Sequence, residues 1–589
     1  MPQQNRNVLL SCLLTLLVAG PLFSQTTTNL TIAFVTANST PLNQGFAGFA
    51  TDLVDFGLEP HNTNFQQLVV PLSPGWLRYP SGIQSDGFTW TNGEISTNSI
   101  NTLIASNATS AAESCQTAYL PLLGKGGLPF TNFSSLAQNV GGSKIIVCLN
   151  GFTDSPQSAS NFVAYALAHH IPVAAWELCN EPYNFSGSGL TNFFLNGRDY
   201  ATRMYPYWQA IKGADSNAVV SVFFGDPDTG SGGVSWDASL ASFTPHYWNA
   251  VSYHHYPRTG IYTNFSDLMA LDNGELLTNS TTYVTNVLMA YAGTNVGLML
   301  TETDPVEGGG VGGAGPMLPS SSLYGGIYAA ELVMRLSACR QMLFAGTYQL
   351  FNQNGIYATS QDRNAVISAA TNNYVTNTDS FNFGFYYSAQ VLGEGVAYWA
   401  VNRSTAVYAT AVGTNGPTAP LLNGGSLPAI YAQAYQGDNG KRYVLITNKG
   451  SNAQPATIIQ DGTALTNQFL ETFVWGSDPS ATNSSPTLSP VFAYSQMTNN
   501  PVTIPEYSVV RLEWQDFTVP SPILSAAAGS QGSRLLQWAG LTNVVYNVQS
   551  TTNLLGTWPT LGKIANTQTN FSFTDYNSFS PVLYRVTVP

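Results

Sequence analysis

Between Gln44 and Ala370 the chain alternates short strand-like runs with helix-like stretches, and no other feature restricts its fold as much. The strand-like runs are Gly45–Thr51, Gly75–Tyr79, Lys144–Asn150, Val173–Asn180, Ala218–Phe224, Ala250–His254, Val296–Glu302 and Thr347–Phe351. Helix-like stretches such as Ser158–His169 and Leu323–Leu343 lie between them. This alternation predicts parallel strands, and eight is the number that closes a (β/α)8 TIM barrel of the α/β class. Most of the runs finish in polar or aromatic residues: Arg78-Tyr79, Asn150, Asn180-Glu181, Tyr253-His254-His255-Tyr256, Glu302, and Gln349 with Asn352. Barrels of this kind gather their chemistry at the C-terminal ends of the strands, so these endings predict the mouth of a site.

Beyond about Tyr374 the texture changes to short β-rich runs between Gly, Asn and Pro turns, among them Arg442–Thr447 and Ser508–Trp514. We expect an antiparallel β-sandwich over residues 374–516, following a barrel over 41–373. The strand-like Asn29–Phe34, within an N-terminal segment 25–40, is expected to cross over and complete that sandwich. Phe517–Pro522 reads as a linker, and residues 523–589 as a small C-terminal all-β module.

Residues 1–24 have the layout of a cleavable export signal: Arg6, the apolar stretch Val8–Ala19, then Pro21 and the small Ser24. They imply a secreted or extracytoplasmic protein with no membrane span after cleavage. Charged residues are only 9% of the chain and the net charge is −13, which argues against nucleic acid as a partner. Cys115, Cys148, Cys179 and Cys339 are scattered without CxxC spacing, so neither a zinc site nor any other metal or cofactor is expected. Cys148 and Cys179 fall in core strands, where a buried thiol is the plain reading.

Trp176-Glu177-Leu178-Cys179-Asn180-Glu181-Pro182 carries the strongest chemical signal. An acid at a strand mouth, beside an amide able to bond a sugar hydroxyl, suits general acid catalysis. A second apolar run ends in Glu302, with Asp304 and Glu307 as rivals further out on the loop. Two carboxylates on separate strands facing one cleft are what glycosidic bond hydrolysis requires. Glu177 lies within its strand, and if it points inward it needs a partner, for which Arg78 is the candidate. In Tyr253–Tyr256 the adjacent histidines point to opposite faces of a strand, so they suit a hydrogen-bonding wall better than one metal ion. Trp76, Tyr79, Trp90, Tyr183 and Phe185 could stack on sugar rings, with core packing as the default for each.

These motifs resemble those of clan A retaining glycoside hydrolases, and more narrowly of glycoside hydrolase family 79, the heparanase and β-glucuronidase family. The resemblance rests on Trp176–Pro182 with Tyr183-Asn184-Phe185, on Glu302-Thr303 followed by Gly308-Gly309-Gly310, on Glu331–Arg335, on Phe344–Leu350, and on Tyr507–Val510. It spans roughly Gln44 to Trp514 and leaves the tail uncovered. It implies Glu181 as acid/base and Glu302 as nucleophile of a double displacement. It further implies Gly308, Gly309 and Gly310 offering N–H groups to a uronate, helped by Tyr348; the strand-end residues Asn180, Arg78, Tyr79, Tyr253, His254 and Tyr256 are expected on their own reading to bind the substrate. The expected partner is an oligo- or polysaccharide or glycoconjugate, and the family 79 resemblance implies one containing uronic acid. Cys179 stands where that family usually has glycine. A clan A glycosidase acting on neutral sugars is the alternative, and a non-catalytic carbohydrate-binding protein is a third reading.

Overall fold

The structure is a computed structural model. It describes residues 30–51, 53–56, 60–185, 193–225, 233–256, 281–293, 295–303, 322–354, 367–370, 385–420, 426–438, 440–483 and 491–515. In the tail it describes 524–528, 533–539, 546–551, 558–564, 570–575 and 583–587. The expected export signal, Gly308–Gly310 with Asp304 and Glu307, and the expected linker lie outside these residues.

Eight parallel strands close into a barrel: Ala47–Ala50, Trp76–Tyr79, Lys144–Leu149, Val173–Leu178, Val220–Phe223, Ala250–His255, Gly297–Thr303 and Met342–Thr347. Seven coincide with the expected runs. The eighth does not: it was expected at Thr347–Phe351 and ends at Thr347 instead. The preceding helix stops at Ser337, so Leu343, read from sequence as helical, belongs to the strand. Two glycines are required here. A Cβ at Gly346 would stand 2.1 Å from the Gly48 carbonyl oxygen, and one at Gly48 would stand 2.3 Å from the Trp76 ring. Their bare backbones let the indole lie across the barrel floor with Ile146, Ala175, Ala250, Met299 and Phe344. Burying each such large side chain contributes roughly 1.5–3 kcal/mol.

The helical returns start where local chemistry favours them. Ser155 accepts a hydrogen bond from Ser158 N, with Pro156 at the first helical position of Pro156–Ala168. The last return is Ala389–Val401, packed against Leu323–Ser337, and a Cβ on Gly393 would stand 2.9 Å from Gly326 Cα. Two facing glycines thus let these helices touch backbone to backbone. The barrel therefore extends past residue 373, and the first strand of the large sheet to follow it is Ser404–Val412.

That sheet has ten strands. Leu30–Pro41 sits inside it, antiparallel to Ser404–Val412 and parallel to Gln454–Gln460. Four strand steps separate Phe34 on Leu30–Pro41 from Trp514 on Ser508–Gln515, about 19 Å in a flat sheet. Yet their ring centroids lie 6.0 Å apart. The sheet therefore folds over its own core, which includes Ile32, Ile446, Ile458 and Leu512. The tail forms two three-stranded sheets around Leu536, Trp538, Tyr546, Val548 and Phe571.

Candidate active site

The fourth barrel strand ends in a tight turn. Cys179 has φ 69° and Glu181 φ 42°, both in the left-handed region, and between them Asn180 N donates to Asp86 Oδ1 at 3.2 Å. A cysteine in that conformation costs roughly 1–2 kcal/mol relative to ordinary backbone. Its sulfur fills space in return, 3.6 Å from the Met204 sulfur and so close to Gly151 that a Cβ there would stand 2.3 Å from it. The turn turns Glu181 into the barrel mouth. Burial pushes the Asp86 carboxyl well above the usual range, opposed only in part by the Asn180 N–H.

Arg78 organises the floor of the mouth. Its guanidinium is fully buried and donates through Nε to Glu177 Oε2 (2.5 Å), through Nη1 to Glu302 Oε1, and through Nη2 to Asn180 Oδ1 (2.9 Å). Burial works against its charge, but Glu177, Cys148 and Glu302 hold its pKa above the ordinary value. Glu177 Oε1 accepts from Ser252 Oγ (2.7 Å) and Thr301 Oγ1 (2.8 Å), so this buried acid is saturated. Glu302 takes a further hydrogen bond from Tyr256 OH at 2.6 Å. An arginine and a phenol thus fix the Glu302 carboxyl in the mouth.

Glu181 faces it. The Tyr183 hydroxyl (2.9 Å) and His254 Nδ1 (2.8 Å) both reach Glu181 Oε1, and Asn184 Nδ2 donates to Oε2 at 2.8 Å. Thr301 gives its hydroxyl hydrogen to Glu177, so it accepts from His254 Nε2 at 3.2 Å, and Nε2 carries a hydrogen. His254 Nδ1 is then the atom that shares a proton with Glu181, and it also lies 3.3 Å from Glu302 Oε2. Burial raises the Glu181 carboxyl, but the bond to His254, its charge and the Tyr183 hydroxyl outweigh it, so the group sits below the usual carboxylate range. Glu181, His254 and Glu302 each present one atom within 4.8 Å of the others. A cation in that triangle would meet the charge of Arg78 on the same Glu302 carboxylate, so the set suits a shared proton better than a metal ion.

Of the residues expected from sequence, the structure brings Glu181, Glu302, Asn180, Arg78, His254 and Tyr256 into one cluster. Tyr348 joins its rim, its ring 6.2 Å from that of Tyr256 and its N–H on Thr303 O at 2.9 Å. Two expectations are corrected. Tyr79 follows the inward Arg78, so it faces the helices; its hydroxyl bonds Leu128 O at 2.9 Å and its ring packs on Phe88, Phe130 and Phe133. Tyr253 is turned outward for the same reason, since Ser252 and His254 face the barrel axis, and it packs toward Tyr283. Trp76 is floor and Trp90 stacks on Phe162 at 4.4 Å, so neither faces sugar. Sequence reasoning missed Asp86, Ser252, Thr301 and Asn184. For Ser252 and Thr301 the available signal was a lone hydroxyl in an apolar strand, two residues before His254 and one before Glu302.

No family model matches the chain, and no curated protein does. Among solved structures it is similar to a family 51 α-L-arabinofuranosidase from Bifidobacterium longum, at 16% identity and TM-score 0.61 over 83% of this chain and 99% of that one. It is similar to the family 51 arabinofuranosidase from Xanthomonas axonopodis pv. citri, at 13% identity and TM-score 0.57 over 82% of this chain and 100% of that one. An α-L-arabinofuranosidase from Thermotoga maritima, solved with arabinose, matches at 15% identity and TM-score 0.57 over 82% of this chain and 99% of that one. At such identities the likeness is one of fold: a (β/α)8 barrel joined to a large β-sheet, as in these glycosidases.

Proposed function

We propose that the chain is a retaining glycoside hydrolase acting on a neutral sugar, of the α-L-arabinofuranoside kind, with Glu181 as acid/base and Glu302 as nucleophile. The observation that carries this reading is the close approach of the two carboxylates, with oxygens within 4.8 Å of each other, Glu302 bonded to Arg78 and Tyr256 and Glu181 to His254. Retaining enzymes place their carboxyl groups about 5–5.5 Å apart, whereas inverting enzymes leave about 6.5–9.5 Å for a water. Glu302, positioned by Arg78 and Tyr256, attacks the anomeric carbon. The proton shared by His254 and Glu181 passes from Glu181 to the leaving oxygen. Glu181, now a carboxylate, then draws a proton from the water that releases the sugar.

Neutral sugar is favoured over the glucuronide implied by the family 79 resemblance on two grounds. The fold neighbours above are named as arabinofuranosidases. Arg78 is also the one Lys or Arg among the described residues on the C-terminal halves of the barrel strands, and its three nitrogens are already engaged. The uronate anchor expected at Gly308–Gly310 lies outside the described residues. The test is release of 4-nitrophenol from its α-L-arabinofuranoside, β-xyloside and β-glucuronide, with the product anomer followed by NMR. Arabinofuranoside cleavage with retention, abolished in a folded Glu302→Gln variant, is expected. Near-normal turnover by that variant, or inversion, refutes the mechanism, and cleavage of the glucuronide alone refutes the sugar class. Export rests on residues 1–24, and N-terminal sequencing of the secreted protein is expected to find cleavage after Ser24.

A further inference from the structure

Away from the barrel mouth, one buried ion cluster has an unbalanced charge. Glu331, on Leu323–Ser337, is fully buried. Its Oε1 accepts from Arg335 Nη2 (2.7 Å) and Nε (3.1 Å), and its Oε2 from Lys449 Nζ (2.5 Å) and Thr447 Oγ1 (2.8 Å). One carboxylate therefore answers two cations. Lys449 is sealed in with no exposed surface, whereas the Arg335 side chain is 28% exposed, so the surplus positive charge reaches solvent at Arg335.

At that point a cavity of about 440 Å³ opens. Arg335, Tyr431, Gly413, Thr414, Gly416 and Thr418 are among the residues that line it. The guanidinium lies 4.1 Å from the Tyr431 ring centroid, which fixes its plane. Among the described residues, Arg335 Nη1, the Tyr431 hydroxyl and the hydroxyls of Thr414 and Thr418 carry no hydrogen bond. A charge left unmatched beside a low-dielectric wall is costly until an anion meets it. A guanidinium with a free nitrogen is shaped for a carboxylate. Around it, hydroxyl groups and glycine backbone offer what sugar hydroxyls bond, in a volume of the size that small-molecule sites occupy.

We propose that this cavity, at the junction of the last helices of the barrel and the large sheet, binds a carboxylate-bearing sugar, a uronate residue of a glycan, through Arg335 and Tyr431. The site is separate from the catalytic pair, so the glycan would be held by an acidic sugar while the barrel works on a neutral one.

The test is calorimetric titration of the full-length Glu302→Gln protein with sodium D-glucuronate, beside D-glucose and sodium acetate. One glucuronate site is expected, retained in Glu302→Gln, with glucose and acetate each bound about tenfold or more weaker. Added to that background, Arg335→Lys, which keeps the charge toward Glu331 but loses the free Nη1 donor, is expected to weaken binding about tenfold, and Tyr431→Phe about threefold. In an otherwise wild-type chain, Arg335→Lys should cleave the arabinofuranoside at the normal rate, so failure of this proposal is distinguishable from failure of the hydrolase reading. Absence of glucuronate binding overturns it. So does equal binding by chains folded with Arg335→Lys and with Tyr431→Phe, or acetate binding as tightly as glucuronate.

Discussion

Removing the Tyr183 hydroxyl should move the alkaline limb of the pH–rate profile upward. That hydroxyl donates to Glu181 Oε1 at 2.9 Å and is one of the groups that hold the carboxyl below its usual range. A donor to a carboxylate stabilises the ionised form, so its loss raises the pKa. A general acid works protonated and fails as it ionises, so a raised pKa extends activity to higher pH. A hydrogen bond to a charged group contributes about 1.5–3 kcal/mol when it acts alone. Here His254 and Asn184 share the same carboxylate and the Glu181 side chain is 19% exposed, so about half of the lower figure remains. At 1.36 kcal/mol per unit, the shift is about half a unit. Tyr183→Phe keeps the ring against Trp236, at 6.3 Å between centroids, so the fold is not expected to suffer. The assay is kcat/KM against pH on an alkyl arabinofuranoside, whose poor leaving group needs the acid. An unchanged limb, or one moved to lower pH, refutes the assignment of Glu181 as the acid.

Arg78→Met leaves Glu177 and Glu302 buried without their shared cation, and thermal or denaturant unfolding should show a loss of about 3–5 kcal/mol together with loss of turnover. Glu331→Gln strands Lys449 and Arg335 together, with a similar expected cost of about 3–5 kcal/mol near neutral pH. Burial alone would raise Glu331, but Lys449 and Arg335 hold it below the ordinary range, so its stabilisation is complete above the unfolded value of about 4.3 and fades as pH falls through the lower folded value. Melting temperatures taken downward from pH 5 should therefore fall more steeply for the wild type than for Glu331→Gln. Cys179→Gly relieves a left-handed cysteine while opening a small void, so its stability should stay within about 1 kcal/mol of the wild type. Cys179→Val, branched at φ 69°, should cost more than about 2 kcal/mol in the same unfolding assay.

The strands were legible where long apolar runs ended in a charge, as at Glu181 and Glu302, because burial on both faces and a polar tip leave a pattern few other structures share. The eighth strand was not, because Leu343-Phe344-Ala345-Gly346 resumes the apolar texture of the helix before it, and the polar pair Arg340-Gln341 between them fits the exposed face of a continuing helix as well as a break. The requirement for Gly48 and Gly346 comes from Trp76, which sequence does not show to be a neighbour. The paired acids were legible as types, and period-two alternation would have excluded Tyr79 and Tyr253 once Arg78 and His254 were placed inward. Asp86 left no trace, since its role is to hold the backbone of a turn some ninety residues away.

Strand Leu30–Pro41 has a consequence for how the chain is made. It emerges before every other described strand, but its sheet partners are Ser404–Val412 and Gln454–Gln460. At roughly 5–20 residues per second, the 430 residues from Leu30 to Gln460 take roughly 20–90 s to synthesise. Until Val412 is made that alternating apolar strand has neither edge covered, and until Gln460 one edge stays open, while the barrel between can form without it. The large sheet therefore closes last, and the first strand made is a standing demand on whatever keeps young chains from pairing with each other.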